Sequence, residues 1–192
     1  CHETTLEENK HDIYKTDSSK ILMIRNTFQI LPRVRAKTEQ KLWKLGIKTW
    51  SDFTTAETIT GIRPAVKQYY NSILKEASDS LLEGKSTFFI QNLPSKEMWR
   101  LYDHFRDECG YLDIEIDSRG KITLVGISNY YNTNTFVQGF NLDTNLLKKE
   151  IAKYKLIITF NVSAFDLPKL KKELVVGIDV PHIDLKPLCV NL

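Results

Sequence analysis

The chain has 192 residues, of which 42% are hydrophobic and 27% are charged, and its formal net charge is +3. This length suffices for one full domain and a small one, with a sizeable buried core. No apolar run approaches the roughly 20 residues of a membrane-spanning helix, so we expect a protein without a membrane segment. Three scattered cysteines exclude a disulfide framework or a paired-cysteine metal site, and they favour an intracellular, cytoplasmic setting.

Positive charge is concentrated in one part of the chain. Residues 21–50 contain seven lysines and arginines but one acid, Glu39. A local excess of this kind suits a polyanionic partner such as nucleic acid. A solvated, lysine-rich helix face is the alternative interpretation.

Residues 21–84 are predicted to be helical, after a polar tail. Residues 1–20 are polar and without periodicity, so we interpret them as a flexible tail. The apolar spacing then predicts a helix from Ala36 to Leu45 that Gly46 ends, and a short helix near Thr49 to Phe53. A long helix over residues 64–83 carries a clear apolar stripe, with Pro64 in its first turn.

From residue 85 onwards the pattern changes to alternating strands and helices. A helix over residues 95–108 is predicted first, closed by Cys109 and Gly110. The predicted strands are Tyr111–Ile116, Lys121–Ser128, Thr135–Gln138, Lys155–Phe160 and one that ends near Asp184, and the predicted later helices are 142–153 and Asp166–Glu173. This order implies an α/β domain over residues 85–192, with a mixed sheet flanked by helices and a small all-α segment before it.

Two acids on the first predicted strand are the first candidates for a functional site. Asp113 and Glu115 are two residues apart, so their side chains point to the same face, about 7 Å apart along the strand. Like charges at this distance repel unless solvent or a cation intervenes. Taken alone, the pattern is also compatible with an ordinary edge strand that faces water.

Two later motifs complete the pattern. FN-x-x-x-FDLP, from Phe160 to Pro168, lies where a buried strand gives way to a helix, and Asp166 would lie in the first turn of that helix. HIDL follows at His182–Leu185. In this order, DIE at 113–115, FN-x-x-x-FDLP and HIDL resemble the DEDD exonucleases of the ribonuclease H fold, and most closely the YprB-type ribonuclease H-like domains. The similarity extends from about Phe89 to Leu188.

The resemblance implies a metal-dependent nuclease, of the 3′ to 5′ exonuclease kind, that acts on DNA or RNA. In that family Asp113, Glu115 and Asp166 would be catalytic and would bind two Mg²⁺ or Mn²⁺ ions. Such ions prefer carboxylate oxygens and leave positions for water and phosphate. A pair of them can activate water and stabilise the leaving oxygen.

Two departures from the family keep a second function open. Family members usually have glycine where Val162 stands. The family also has a fourth metal-binding aspartate on a helix beyond HIDL, and Asp184 matches the strand that precedes it, so we expect the site to be incomplete and the domain truncated within these 192 residues. The alternative is a catalytically inactive nucleic-acid-binding or assembly module that keeps the fold.

Residues 31–53 resemble a helix-hairpin-helix motif, which binds the nucleic-acid backbone through amides and helix N-termini without reading sequence. Arginines stand where that motif usually has glycines, and their side chains could contact phosphate instead. A purely structural role for this segment is the alternative. The predicted nucleic-acid-binding residues are Arg33, Arg35, Lys37, Lys41, Lys48 and Asn161.

Overall fold

The computed structural model describes residues 23–161, 166–174 and 176–189, and of residues 166–169 the backbone alone. The predicted tail, residues 1–20, lies outside the described residues. The helices described are α1 Ala36–Lys44, α2 Trp50–Thr55, α3 Pro64–Leu82, α4 Phe88–Asn92, α5 Tyr102–Phe105, α6 Thr144–Ile151, α7 Asp166–Glu173 and α8 Leu185–Cys189. The strands described are β1 Cys109–Ile116, β2 Ile122–Ser128, β3 Thr133–Val137, β4 Leu156–Thr159 and β5 His182–Asp184. Short 3-10 helices cover Ile24–Asn26, Ser95–Leu101 and Arg106–Glu108.

The three predicted N-terminal helices are confirmed, and local chemistry explains where they begin and end. Gly46, at φ 86°, follows the end of α1 in the left-handed conformation that glycine tolerates. Thr49 caps α2 in a capping box: its hydroxyl accepts the Asp52 amide at 3.1 Å, and the Asp52 carboxylate accepts the Thr49 amide at 2.8 Å. Pro64 is the first residue of α3, where its missing N–H leaves no bond unmade.

The prediction of one helix over residues 95–108 was wrong. The segment forms a 3-10 helix, the short α5 and a second 3-10 turn, and Cys109 and Gly110 belong to β1 rather than to a helix end. In a 3-10 helix, residues three apart lie above one another. Glu97 therefore lies beside Arg100 and Met98 beside Leu101, and all four are buried.

Five strands form one mixed sheet in the order β3-β2-β1-β4-β5. The central strand β1 pairs antiparallel with β2 and parallel with β4, while β2 is antiparallel to β3 and β4 is parallel to β5. Helices flank this sheet on the described chain. The predicted ribonuclease H-like α/β fold is therefore confirmed.

The sheet lies between two hydrophobic cores. On one face, Leu112, Ile114 and Ile157 pack with residues of α6 and α7. On the other face, the buried side chains of Leu156, Ile158 and Ile183 pack with the helical segment that precedes the sheet. That segment is thus part of the packing of the sheet. Among the described residues, no helix combines the length and the apolar character needed to span a membrane.

Candidate nuclease site

Asp113 and Glu115 lie on the solvent-exposed face of β1, as the strand alternation predicts. Their neighbours Leu112 and Ile114 are buried on the opposite face. Asp113 lies opposite Gly126 on β2, and a Cβ at Gly126 would meet no atom of the described chain within 4 Å. Neither carboxylate has a side-chain hydrogen bond or salt bridge to the described residues. The pair is therefore accessible and uncompensated.

The third predicted ligand follows the neighbouring strand. Because β1 and β4 are parallel and Tyr111 pairs with Ile158, the end of β4 lies beside the stretch of β1 that carries the acids. The chain leaves the sheet there, and Asp166 is the first residue of α7. The side chain of Asp166 and the whole of Val162 lie outside what the structure describes, so the clustering of the three acids remains a prediction.

The chemistry of the described acids suits a hard divalent cation. Two exposed carboxylates supply oxygen ligands, and the space above Gly126 leaves room for the waters that Mg²⁺ retains. Among the described side chains, no group of three or more His, Cys, Asp and Glu residues could hold a metal ion. A complete site would therefore need a ligand from outside them, and Asp166 is the residue that the motif indicates.

Asp184 has a structural role at the neighbouring strand end. Its Oδ1 accepts the backbone amides of Asn161, at 2.9 Å, and of Lys186, at 3.0 Å. Asn161 adopts φ 63°, and its side-chain oxygen accepts the Lys186 ammonium group at 2.7 Å. Asp184 thus holds the backbone at Asn161, just beyond the end of β4. Its interpretation as a poor substitute for the fourth metal ligand stays a prediction.

Two tyrosines beside the acids were not among the predicted site residues. Tyr111 lies on β1, two residues before Asp113 and on the same face, and its hydroxyl lies 3.4 Å from that of Tyr102 on α5. The hydrogen bond with Tyr102, together with burial, raises the pKa of Tyr111 to about 12. The phenol therefore stays neutral at physiological pH. Strand alternation could have identified Tyr111, whereas its contact with Tyr102 depends on the tertiary fold.

The predicted cationic residues of the helical segment are all exposed, and none of them forms a salt bridge with a described residue. Arg33 has φ 64°, a left-handed conformation that glycine adopts far more easily than arginine. This turn is held by the Tyr70 hydroxyl, which donates to the Pro32 carbonyl at 2.7 Å. Arg35 is the N-cap residue of α1. The chain therefore has a left-handed turn at Arg33, and Arg33 and Arg35 both stand just before the first residue of α1.

Comparison with known proteins gives one match. No curated protein and no solved structure matches the chain. The model of a family described as the RNase H superfamily matches residues 110–192, the part of the chain that contains Asp113, Glu115, Asp166 and nearly all of the sheet. Residues 110–192 thus resemble the RNase H superfamily in sequence, and the mixed sheet of this part of the chain is ribonuclease H-like in its fold.

Proposed function

We propose that this protein is a metal-dependent nuclease-like protein that acts on the ends of DNA or RNA. The observation that carries the proposal is the accessible, uncompensated pair Asp113 and Glu115 on the central strand of a ribonuclease H-like sheet. Exposed like charges on one face of a strand do not stabilise the fold, so their placement favours a role in binding. Asp166, at the start of α7, completes the proposed ligand set.

The residues would divide the chemistry of phosphodiester hydrolysis between them. Asp113, Glu115 and Asp166 would hold Mg²⁺ or Mn²⁺ and set its position against the substrate phosphate. When bound, such an ion supplies charge stabilisation at the phosphoryl oxygens and acidifies a bound water. Asp184 would hold Asn161, which follows β4, in place.

Calorimetric titration with Mn²⁺ tests the metal site directly. We expect the wild-type protein to bind Mn²⁺ and the Asp113→Asn variant to bind it much more weakly, because one of the few oxygen ligands then loses its charge. Asp107→Asn is a matched control, since Asp107 is an exposed acid on the 3-10 turn before β1. Equal heats for wild type and Asp113→Asn would contradict the site assignment.

A nuclease assay tests the reaction separately. The protein is incubated with end-labelled single-stranded DNA and RNA, with and without Mn²⁺, and released nucleotides are counted. Because we expect the site to lack the family's fourth metal-binding aspartate, we expect at most weak Mn²⁺-dependent release, which Asp166→Ala abolishes and Asp107→Asn leaves unchanged. Mn²⁺ binding without any release would favour the second candidate function, an inactive nucleic-acid-binding module.

The exposed cations around Arg33 support nucleic-acid binding, which the second candidate also requires. Arginine in a left-handed turn carries a conformational cost of about 1 kcal/mol that glycine would avoid, so its presence there favours a role for the side chain. If Arg33 and Arg35 contact phosphates, replacing both with alanine lowers the slope of log K against log salt by up to about two units. Arg106→Ala is the control, because Arg106 is exposed and lies on the turn before β1. An unchanged slope would assign the hairpin a structural role.

A further inference from the structure

One face of the sheet is covered over two strands and open over the other three. Over β4 and β5 this face is buried by the helical segment, through Leu156, Ile158 and Ile183. From Tyr111 onwards on β1, and over β2 and β3, it is accessible in the described structure. The strand pairing defines three cross-strand rows on this open face: Tyr111, Ser128 and Thr133; Asp113, Gly126 and Thr135; Glu115, Leu124 and Val137.

Between its two ends, the open face carries small or polar residues. Its middle row has a glycine and a threonine beside Asp113, and its first row has two hydroxyl side chains beside Tyr111. Leu124 and Val137 are its apolar members, in the row of Glu115. A face of this composition is poorly suited to the apolar centre of a protein interface. It suits a partner that brings hydrogen-bonding groups and flat rings.

Exposed tyrosines lie near the end of the open face that is farthest from Glu115. The exposed fractions are 43% for Tyr102, 41% for Tyr111, 92% for Tyr130 and 81% for Tyr131. Tyr111 pairs with Ser128, the last residue of β2, and the turn that carries Tyr130 and Tyr131 follows directly. The rings of these last two lie 5.2 Å apart, nearly perpendicular to each other.

The turn between β2 and β3 does not need its tyrosines. Its geometry is set by Asn129, whose side-chain oxygen accepts the amides of Tyr131, at 2.9 Å, and Asn132, at 2.8 Å. Asparagine commonly stabilises turns in this way, whereas large aromatic residues gain nothing from such a position. Two almost fully exposed rings on a well-held turn are therefore better explained by binding than by folding.

We propose that Tyr102, Tyr111, Tyr130 and Tyr131, here called the tyrosine surface, bind the unpaired bases of single-stranded nucleic acid. The inference rests on the proposed nuclease-like function, in which the end of the nucleic-acid strand lies at Asp113 and Glu115. Aromatic faces stack on any base, so this contact is sequence-tolerant. Tyr111 is about 7 Å from Asp113 along the strand, which brings the nucleotide beside the reacting end within its reach.

Base stacking on the tyrosine surface and phosphate binding by Arg33 and Arg35 differ in their dependence on salt. Stacking neutralises no phosphate charge, so it releases no counterions. Loss of a stacked base lowers affinity by about 5- to 150-fold. Tyrosine-surface variants should therefore lower affinity for single strands without changing its salt dependence, whereas variants of Arg33 and Arg35 should change that dependence.

Fluorescence anisotropy with a labelled oligonucleotide tests the inference, using single-stranded and duplex forms of one sequence in Mn²⁺ and in EDTA. The double variants are Tyr111→Ala with Tyr130→Ala, and Tyr111→Phe with Tyr130→Phe, which keeps both rings. Tyr69→Ala is the control, because Tyr69 is an exposed tyrosine on α3. We expect the alanine pair to lose at least fivefold in affinity for the single strand, and the phenylalanine pair and the control to bind as the wild type does.

The outcomes separate the two proposals. If the wild type binds single strands and the alanine pair binds them equally well, the tyrosine surface is overturned while the nuclease-like function stands. Equal loss for duplex and single strand would also overturn it, because paired bases cannot stack on the rings. If the wild type binds no oligonucleotide in either buffer, both proposals fail. Circular dichroism of each variant shows that a loss of binding does not reflect unfolding.

Discussion

A buried polar network joins the helical segment to the 3-10 helix in front of β1. Glu39 and Glu97 are 1% and 8% exposed, and Arg100, 5% exposed, lies between them. Its guanidinium donates to Glu97 at 2.7 Å and lies 3.9 Å from Glu39. Glu39 also accepts hydrogen bonds from the Thr27 hydroxyl and the Phe28 amide, both at 2.6 Å. Two carboxylates thus share one buried cation.

Replacing Arg100 with methionine should destabilise the protein strongly. Methionine fills part of the space but leaves both carboxylates without their buried cation. Removing one partner of a buried ion pair costs about 3–5 kcal/mol. For a chain of this length each kcal/mol lowers the melting temperature by about 2–4 °C, so the expected fall is about 6–20 °C.

Thermal and urea denaturation, followed by circular dichroism, measure this change. Arg106→Met is the matched control, because Arg106 and its partner Asp107 are both largely exposed, and exposed ion pairs contribute little. Glu39→Gln should lower the melting temperature less than Arg100→Met does. It removes one of the two buried negative charges and leaves Arg100 paired with Glu97. If Arg100→Met lowers the melting temperature no more than Arg106→Met does, the network does not stabilise the fold as argued.

Two further predictions concern the sheet. A Cβ on Gly110 would lie 2.8 Å from the ring of Tyr154. Gly110→Ala should therefore lower the free energy of unfolding, measured by urea denaturation, by about 1–3 kcal/mol. An unchanged urea midpoint would show that the ring can move aside at no cost. Burial lowers the pKa of His182, although Asp184 opposes the shift, so the folded state favours the neutral ring. The stability that the neutral His182 contributes should therefore be fully present above pH about 6.5, and it should be lost as the pH falls towards the pKa of His182 in the folded protein. His182→Gln should weaken this pH dependence. Equal pH profiles of the two proteins would contradict the role of His182.

Local sequence signals predicted the sheet and the helical segment well, because they reflect nearest-neighbour chemistry. Alternation on β1 correctly separated Asp113 and Glu115 from the buried Leu112 and Ile114. Gly46 was correctly predicted to end the first helix, and the short helix predicted near Thr49 is present, with Thr49 as its N-cap. Each of these features is determined within a few residues, so no knowledge of tertiary packing was needed.

The segment before β1 could not be predicted in the same way. Residues 95–108 have apolar spacing that fits an α-helix, but the chain must bury Glu97 and Arg100 against Gln29 and Glu39, which are more than fifty residues away. The 3-10 conformation places these two side chains together. Helix α4 has only five residues, too few for a periodic pattern to show. Distant partners and short length are therefore the physical reasons for these errors.

The candidate functional surfaces are places where the fold tolerates unfavourable local chemistry. Asp113 and Glu115 repel each other on an open strand face, and Arg33 occupies a turn that glycine would fill more easily. Neither feature is offset by a described hydrogen bond or ion pair of those side chains, in contrast to Glu39 and its partners. Local choices that oppose stability without compensation are expected at binding and catalytic sites. The acids and the arginine thus support the proposed binding of a divalent cation and of phosphate.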